Sequence, residues 1–246
     1  MTVSPTAVLH AEWIKIRSVR ASLGSLIALF VVSLTLTGLV YASIPSDSGE
    51  LGDDRLLAAF YALNFAQVAA IAFGTTAMSS EYVQHGLRVS LAAVPNRDLF
   101  YAAKVAVIGA AALVVGLVTS FASFALGQGL LGDDGIGLGH PGAVRACVGG
   151  GVGLALTALL ATGLAALLRS GVATLSILVP FTLIVSFVVG DVAGGAAQYL
   201  PDRAARQALL ADPEGALGPW SGLAVAALWS LAALLVGWWA VRRRDA

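Results

Sequence analysis

Apolar runs of about 20 residues recur along this chain, and they leave it few ways to fold. A helix needs roughly 20 residues to cross about 30 Å of hydrocarbon, and its backbone polar groups must be satisfied internally there. Six runs meet that length: about 22–43, 56–79, 101–127, 143–168, 171–190 and 219–240. Charged residues make up 11% of the 246 residues, against about 25% in soluble domains, and nearly all lie between the runs. The expectation is an all-α membrane protein: one six-span transmembrane domain over 1–246, with an N-terminal interfacial helix at about 5–20. The first run exceeds a signal-peptide core, and about 20 residues containing Glu12 precede it, so it reads as a retained span.

Orientation follows from the basic residues. With the N-terminus cytoplasmic, that side holds Lys15, Arg17, Arg20, Arg88, Arg97, Lys104, Arg169, Arg242, Arg243 and Arg244. The other side holds Arg55, Arg145, Arg203 and Arg206, and its loops are acidic and glycine-rich, as in "IPSDSGELGDDRL". Six spans then put both termini in the cytoplasm. Abundant Ala and Gly, and arginine in preference to lysine, suit a GC-rich bacterial genome.

The span interiors lack ionisable groups. Lys104 and Arg145 lie near span ends, where they are expected to snorkel to the interface. A proton-coupled transporter needs a buried carboxylate or histidine, and an intramembrane enzyme needs a reactive constellation; neither pattern is present. Cys147 is alone, and His10, His85 and His140 lack metal-ligand spacing, so no metal or catalytic site is expected. The mildly polar features are Asn64 and Gln67 in the second run, read either as lining a substrate path or as interhelical hydrogen bonding. Gly149, Gly153 and Thr157 at four-residue spacing permit close helix packing, and Pro180 is expected to kink the fifth run.

The stretch "EYVQHGLRVSLAAVPNRDLFYAAK", Glu81–Lys104, gathers charges between two apolar runs. As a helix continuing from the second span, it would put Glu81, His85 and Arg88 on one face. Leu87, Leu91 and Val94 would lie on another, suited to the membrane interface. Pro95 would end the element, and Asn96 would cap the next helix with Asp98 in its first turn. By itself the stretch reads either as a solvated loop or as a docking helix for a cytoplasmic partner.

The pattern "EYxxGxxRxxLAAVPxRxxxxxAK" after a second span resembles the permease subunits of ABC type-2 exporters, particularly compact bacterial ones. "LHAEWIKIRSVRASLGSL" is similar to that family's opening interfacial helix, and "GPWSGLAVAALWSLAALLVGWWAVRRRDA" to its last span and basic tail. Val83, Leu87 and Asn96 depart from the residues usual at those places. The resemblance implies a translocation domain working with two copies of a separate ATPase subunit and with a second permease subunit, identical or different. It implies a cytoplasmic coupling helix between spans 2 and 3, with Glu81, Tyr82, His85, Gly86, Arg88, Pro95 and Arg97 as the coupling element. Glu12, Trp13, Lys15 and Arg17 would belong to the interfacial helix. ATP and magnesium would be bound by the ATPase and not by this chain. The only two lysines, Lys15 and Lys104, follow Ile14 and Ala103, so neither belongs to a P-loop, and the chain is not expected to be an enzyme. The cargo would be lipophilic or amphiphilic; no nucleic-acid partner is expected. The alternatives are the substrate-binding membrane component of a vitamin-uptake system and a non-transporting scaffold or immunity protein.

Overall fold

The computed structural model describes residues 4–43, 60–83, 86–132, 135–185, 188, 194–211 and 215–243, and every regular element among them is helical. The elements are α1 (Pro5–Ser18), α2 (Arg20–Ala42), α3 (Leu63–Ser79), α4 (Gly86–Ala93), α5 (Arg97–Leu131), α6 (Ala143–Leu168), α7 (Gly171–Pro180), α8 (Pro201–Arg206) and α9 (Pro219–Arg243). Four of them, α2, α5, α6 and α9, are long and apolar enough to cross a membrane. Helix α3 has 17 residues; α7 has ten and continues into a π turn, Phe181–Val185. The parts of the second and fifth runs at 56–59, 186–187 and 189–190 lie outside the described residues. Helix α5 runs past the expected 101–127 at both ends: its 35 residues span about 52 Å, more than the hydrocarbon requires.

Helix α6 is the axis of the bundle, packed against α3, α5, α7, α8 and α9. Its sequence explains why. Small residues on several faces let neighbouring backbones approach closely where larger side chains would hold them apart. A Cβ on Gly74 of α3 would overlap the carbonyl oxygen of Ala158, and one on Gly163 would overlap the backbone at Ala233 of α9. On the α5 side, a Cβ on Gly116 would lie 2.8 Å from the Gly151 oxygen. Hydroxyls reinforce these seams: Thr162 donates to the carbonyls of Ala158 (2.8 Å) and Gly74 (3.3 Å), and Ser230 of α9 to that of Leu156 (2.8 Å). The Gly149–Gly153 stripe seats something else. It faces Ala208 and Ala205, so α8 and its following turn rest on α6 at the end opposite α1.

The segment after α3 differs from the expected continuous helix. Helix α3 stops at Ser79, a 3₁₀ turn covers Ser80–Tyr82, Val83 is extended (φ −86°, ψ 136°), and α4 starts anew at Gly86. Glu81 and Arg88 therefore sit on different elements, with Glu81 buried and Arg88 exposed. The break has a local cause: a Cβ on Gly86 would lie 3.1 Å from the Glu81 carbonyl oxygen, so the turn closes around a glycine. Leu87, Leu91 and Val94 do share a face, but it packs toward the protein, with Leu87 buried. Asn96 caps α5 as expected, its Oδ1 accepting from the amides of Asp98 (3.0 Å) and Leu99 (3.1 Å). Pro180 marks the change from α to π hydrogen bonding in α7, since proline has no N–H to donate.

Gly74→Ala should force α3 and α6 apart and lower stability by about 1–3 kcal/mol. Gly24→Ala, where nothing lies within 4 Å of an added Cβ, should leave it unchanged. Thermal melts of the two detergent-solubilised variants measure the difference.

Candidate functional site

Two places concentrate polar side chains, one at each end of the bundle. At the α1 end, Glu12, Lys15, Glu81 and Lys104 converge from α1, the 3₁₀ turn and α5. The spacing that brings α1 into the site is simple: Val8, Glu12 and Ile16 recur every fourth residue and form its buried stripe. Lys15 Nζ donates to Glu12 Oε1, Glu81 Oε1 and Ser90 Oγ, each at 2.9 Å, which uses all three of its N–H groups. Lys104 Nζ lies 2.6 Å from Glu12 Oε2 and 2.8 Å from Glu81 Oε1. Ser90 of α4 donates to Glu81 Oε2 at 2.7 Å. Both ammonium groups also stand over the Phe100 ring, at 5.5 and 5.6 Å from its centroid.

The cluster is electrically balanced and largely dry. The side chains of Glu12, Glu81 and Lys104 are each 4% exposed, and that of Lys15 is 38% exposed. Removing such charges from water costs several kcal/mol per ion, and pairing offsets this only when geometry and hydrogen bonds are complete. Burial alone would raise the Glu81 carboxyl, but the Lys104 charge and the hydrogen bonds from Lys104, Ser90 and Lys15 outweigh it and hold the group at about 2. For Lys15, burial works against the charged form, and the two glutamates reverse that, raising it above its usual 10.5. A void of about 10 Å³ beside the cluster is too small for a substrate. What the arrangement can do is join elements: α1, the end of α3, α4 and the first turns of α5 share one set of ionic contacts.

The neighbouring residues extend that joint. Tyr82 donates to the Ala166 carbonyl at 3.3 Å, and the Arg169 guanidinium lies 5.8 Å from its ring centroid. Arg97 donates to the carbonyls of Val241 (2.9 Å) and Arg242 (3.2 Å), so it caps the C-terminal end of α9. Trp238 donates to Asp98 Oδ1 at 2.8 Å, and Arg242 stacks over Trp238 at 4.8 Å. Trp13, Arg17, Arg88 and Pro95 are exposed, and Gly86 opens α4. His85 lies outside the described residues.

The sequence reading missed Lys104, which does not snorkel: it is held inward by two carboxylates. A signal was available, because the chain has only two lysines and each sits near a glutamate-bearing motif. Ser90 and Phe100 carried no such signal.

At the opposite end, Asn64 and Gln67 lie half-buried on α3. They line a cleft of about 410 Å³ with Tyr61, Phe65, Thr182, Leu183, Asp202, Arg203 and Arg206. Neither amide makes a hydrogen bond among the described residues. Thr182, in the π turn after Pro180, donates to the carbonyls of Leu178 (3.0 Å) and Val179 (3.1 Å). Arg145 at the start of α6 donates to the carbonyls of Leu210 and Ala211, which fixes the segment after α8. The arginines of α8 lie on the outer side as expected from their place in the chain, and α8, packed on α9 and α6, shares the cleft lining with α3.

Lys104→Ala should be the most damaging change in the cluster, because it leaves two buried carboxylates sharing the one half-exposed Lys15; a loss of about 3–5 kcal/mol is expected. Lys15→Ala should cost less, since Lys15 is more exposed. Thermal denaturation of purified protein tests the order. The pH dependence follows from the same contacts. Glu81 stabilises the fold fully above about 4.5 and loses that contribution as pH falls toward about 2. Lys15, raised by its partners, contributes fully below 10.5 and loses its contribution as pH rises through its higher folded value. Melting temperature plotted against pH should therefore be flat between these limits and fall outside them, with the acid limb flattened in Glu81→Gln.

Compared with protein-family models, characterised proteins and solved structures, the chain finds no match in any of the three.

Proposed function

We propose that this chain is the permease subunit of an ATP-driven ABC-2 type exporter, working in a bacterial plasma membrane with both termini cytoplasmic. On this reading α2, α3, α5, α6, α7 and α9 are the six spans, α1 is the interfacial helix and α4 the coupling helix. Two copies of a separate ATPase dock from the cytoplasm and a second permease subunit completes the path. ATP and magnesium belong to the ATPase.

The observation that carries the reading is the four-charge cluster. Glu12 and Lys15 belong to the "AEWIKIRS" stretch, and Glu81 and Lys104 open and close the "EYVQHGLRVSLAAVPNRDLFYAAK" stretch. The two stretches carry the resemblance independently, and their charged residues meet side chain to side chain. An element that transmits a push needs to be stiff at its base and open at its face. Helix α4 has both properties: Leu87 and Ser90 face the protein, while Arg88, Val89 and Ala92 are exposed. Closure of a nucleotide-bound ATPase pair against that face would reach α3 and α5 through Glu81 and Lys104. Asn64, Gln67 and the cleft around them would belong to the substrate path.

Gentle-detergent purification of the chain from native membranes, with ATPase assay, tests the proposal. A stoichiometric nucleotide-binding subunit is expected. Val89→Asp combined with Ala92→Glu should release it and abolish stimulated hydrolysis while the melting temperature of the permease stays unchanged. Absence of any copurifying ATPase would overturn the exporter reading.

A further inference from the structure

The contact between α2 and α5 uses its hydroxyls differently from the seams of α6. Elsewhere a helical serine or threonine donates to the carbonyl four residues back, as Ser25, Thr76, Thr157, Thr162, Thr174 and Ser230 do. That bond satisfies the group without a neighbour, which is what an apolar setting demands. Thr162 and Ser230 also reach across to a carbonyl of the facing helix. Thr37 and Tyr41 of α2, and Thr119 and Ser123 of α5, do neither. Each of these four residues is 5% exposed or less, and none of their hydroxyls has a hydrogen-bond partner among the described residues. Ser22, Thr75 and Ser120 lack partners as well, but they stand elsewhere: Ser22 beside the charged cluster, Thr75 near Gly171, and Ser120 against Gly150 of α6.

The four belong to one place. A Cβ on Gly127 would lie 2.7 Å from the Tyr41 ring, and one on Gly38 would lie 4.0 Å from Leu126 Cδ2. Leu126 and Gly127 thus mark the side of α5 turned to α2. At about 3.6 residues per turn, Thr119 and Ser123 project between those two. Both helices start near the charged cluster, where Ser22 and Ile108 line the same void. The offset from Ser22 to Ile108 equals that from Tyr41 to Gly127, so the helices run in parallel with a constant register. Thr37 then stands level with Ser123, and the set extends about 12 Å along the helix axis from Thr119 to Gly127. Nearer the cluster the same seam is apolar, with Leu26, Leu29, Ile108 and Ala112 all buried.

We propose that the half of this seam nearer α8 opens as a water-filled crevice, lined by Thr37, Tyr41, Thr119 and Ser123 and closed below by Leu26, Leu29 and Ile108. A buried hydroxyl without a partner costs free energy that an apolar group of the same shape does not, so the closed seam works against its own lining. Parting the helices lets water supply the missing bonds. Helix α2 is the element able to move. It is the least buried of the four long helices, and it joins α1 through Val19 alone, which is extended (φ −81°, ψ 107°). The charged cluster holds α1 against α5, so the pivot lies at that end and the opening at the other. The four lining side chains carry no charge and offer hydrogen bonds to neutral groups. That the crevice is a wet mouth of the transport path rests on the exporter reading; that it opens does not.

Thiol labelling of the full chain in phosphatidylcholine nanodiscs provides the test, in a Cys147→Ala background. A quaternary-ammonium methanethiosulfonate reacts with thiolate, which a thiol kept from water scarcely forms. Thr37→Cys, Thr119→Cys and Ser123→Cys probe the crevice, Ile108→Cys and Ala112→Cys the apolar half below it, and Val118→Cys the exposed face of α5. The three crevice thiols are expected to react about tenfold faster than the other three, since one unit of thiol pKa is tenfold in thiolate. Thr37→Val with Ser123→Ala removes two unpartnered hydroxyls; it should raise the melting temperature and slow labelling of Thr119→Cys about tenfold. Crevice thiols no faster than Ala112→Cys would overturn the proposal, and so would an unchanged rate in the sealed variant. Labelling of Ile108→Cys and Ala112→Cys at the crevice rate would overturn it too, because the helices would then part along their whole length. Melting temperatures identify any misfolded variant, and with three lining positions the loss of one leaves the comparison standing. The labelling uses no nucleotide and no partner: its failure removes the crevice alone, and absence of a copurifying ATPase removes the exporter reading alone.

Discussion

Burial of two glutamates against two lysines is the interaction on which the α1 end of this protein depends. Each charge alone would be prohibitive in that setting, and each is tolerable because the other three are present. The set is all-or-none in its geometry: Lys15 has no spare donor, and Glu81 accepts from three partners. The position of α1 against the bundle, the break after α3 and the start of α5 are thereby mutually conditional. An apolar contact at the same place would permit sliding, whereas ionic hydrogen bonds fix register.

The rest of the bundle is held by the opposite means. Helix α6 succeeds as an axis because its buried positions are nearly all alanine and glycine, so its neighbours meet it at close range. Where lipid removes the hydrophobic drive between helices, such close packing with occasional hydroxyl bonds is what remains to hold spans together. One end is therefore locked by charge and the middle by shape. The α8 end is held by a few carbonyl contacts from Arg145 and by the fit of alanines against glycines.

Apolar length made the all-helical class and the four longest helices legible, and Asn96, Pro95 and Asp98 marked the start of α5 to the residue. The signals were local, so they were readable without the fold. The cluster was not, because periodicity carried past Ser79 predicts one helix through Glu81 and Arg88. Only partners distant along the chain, Lys104 at 23 residues and Lys15 at 66, supply the charges that turn Glu81 inward. Lys104 itself looked like an interfacial anchor, since span-end lysines generally reach for water. Asn64 and Gln67 stood out as amides in an apolar run, yet nothing along the chain indicated that Arg203 and Arg206 would line the same cleft.

The contacts of Arg97 and Asp98 with the end of α9 have a mechanical side. Helix α5 begins at a point attached to α9, and it is stiffened a few residues later by Lys104, so its first two turns cannot bend independently. A straight rod of about 52 Å converts angle into displacement: a tilt of about 5° at this end moves the other by about 4–5 Å. The far end of α5 carries Phe124, stacked at 5.9 Å on Phe60, three residues before the start of α3. A small rotation of α5 about its charged end would therefore be felt, enlarged, at Phe60 beside the start of α3.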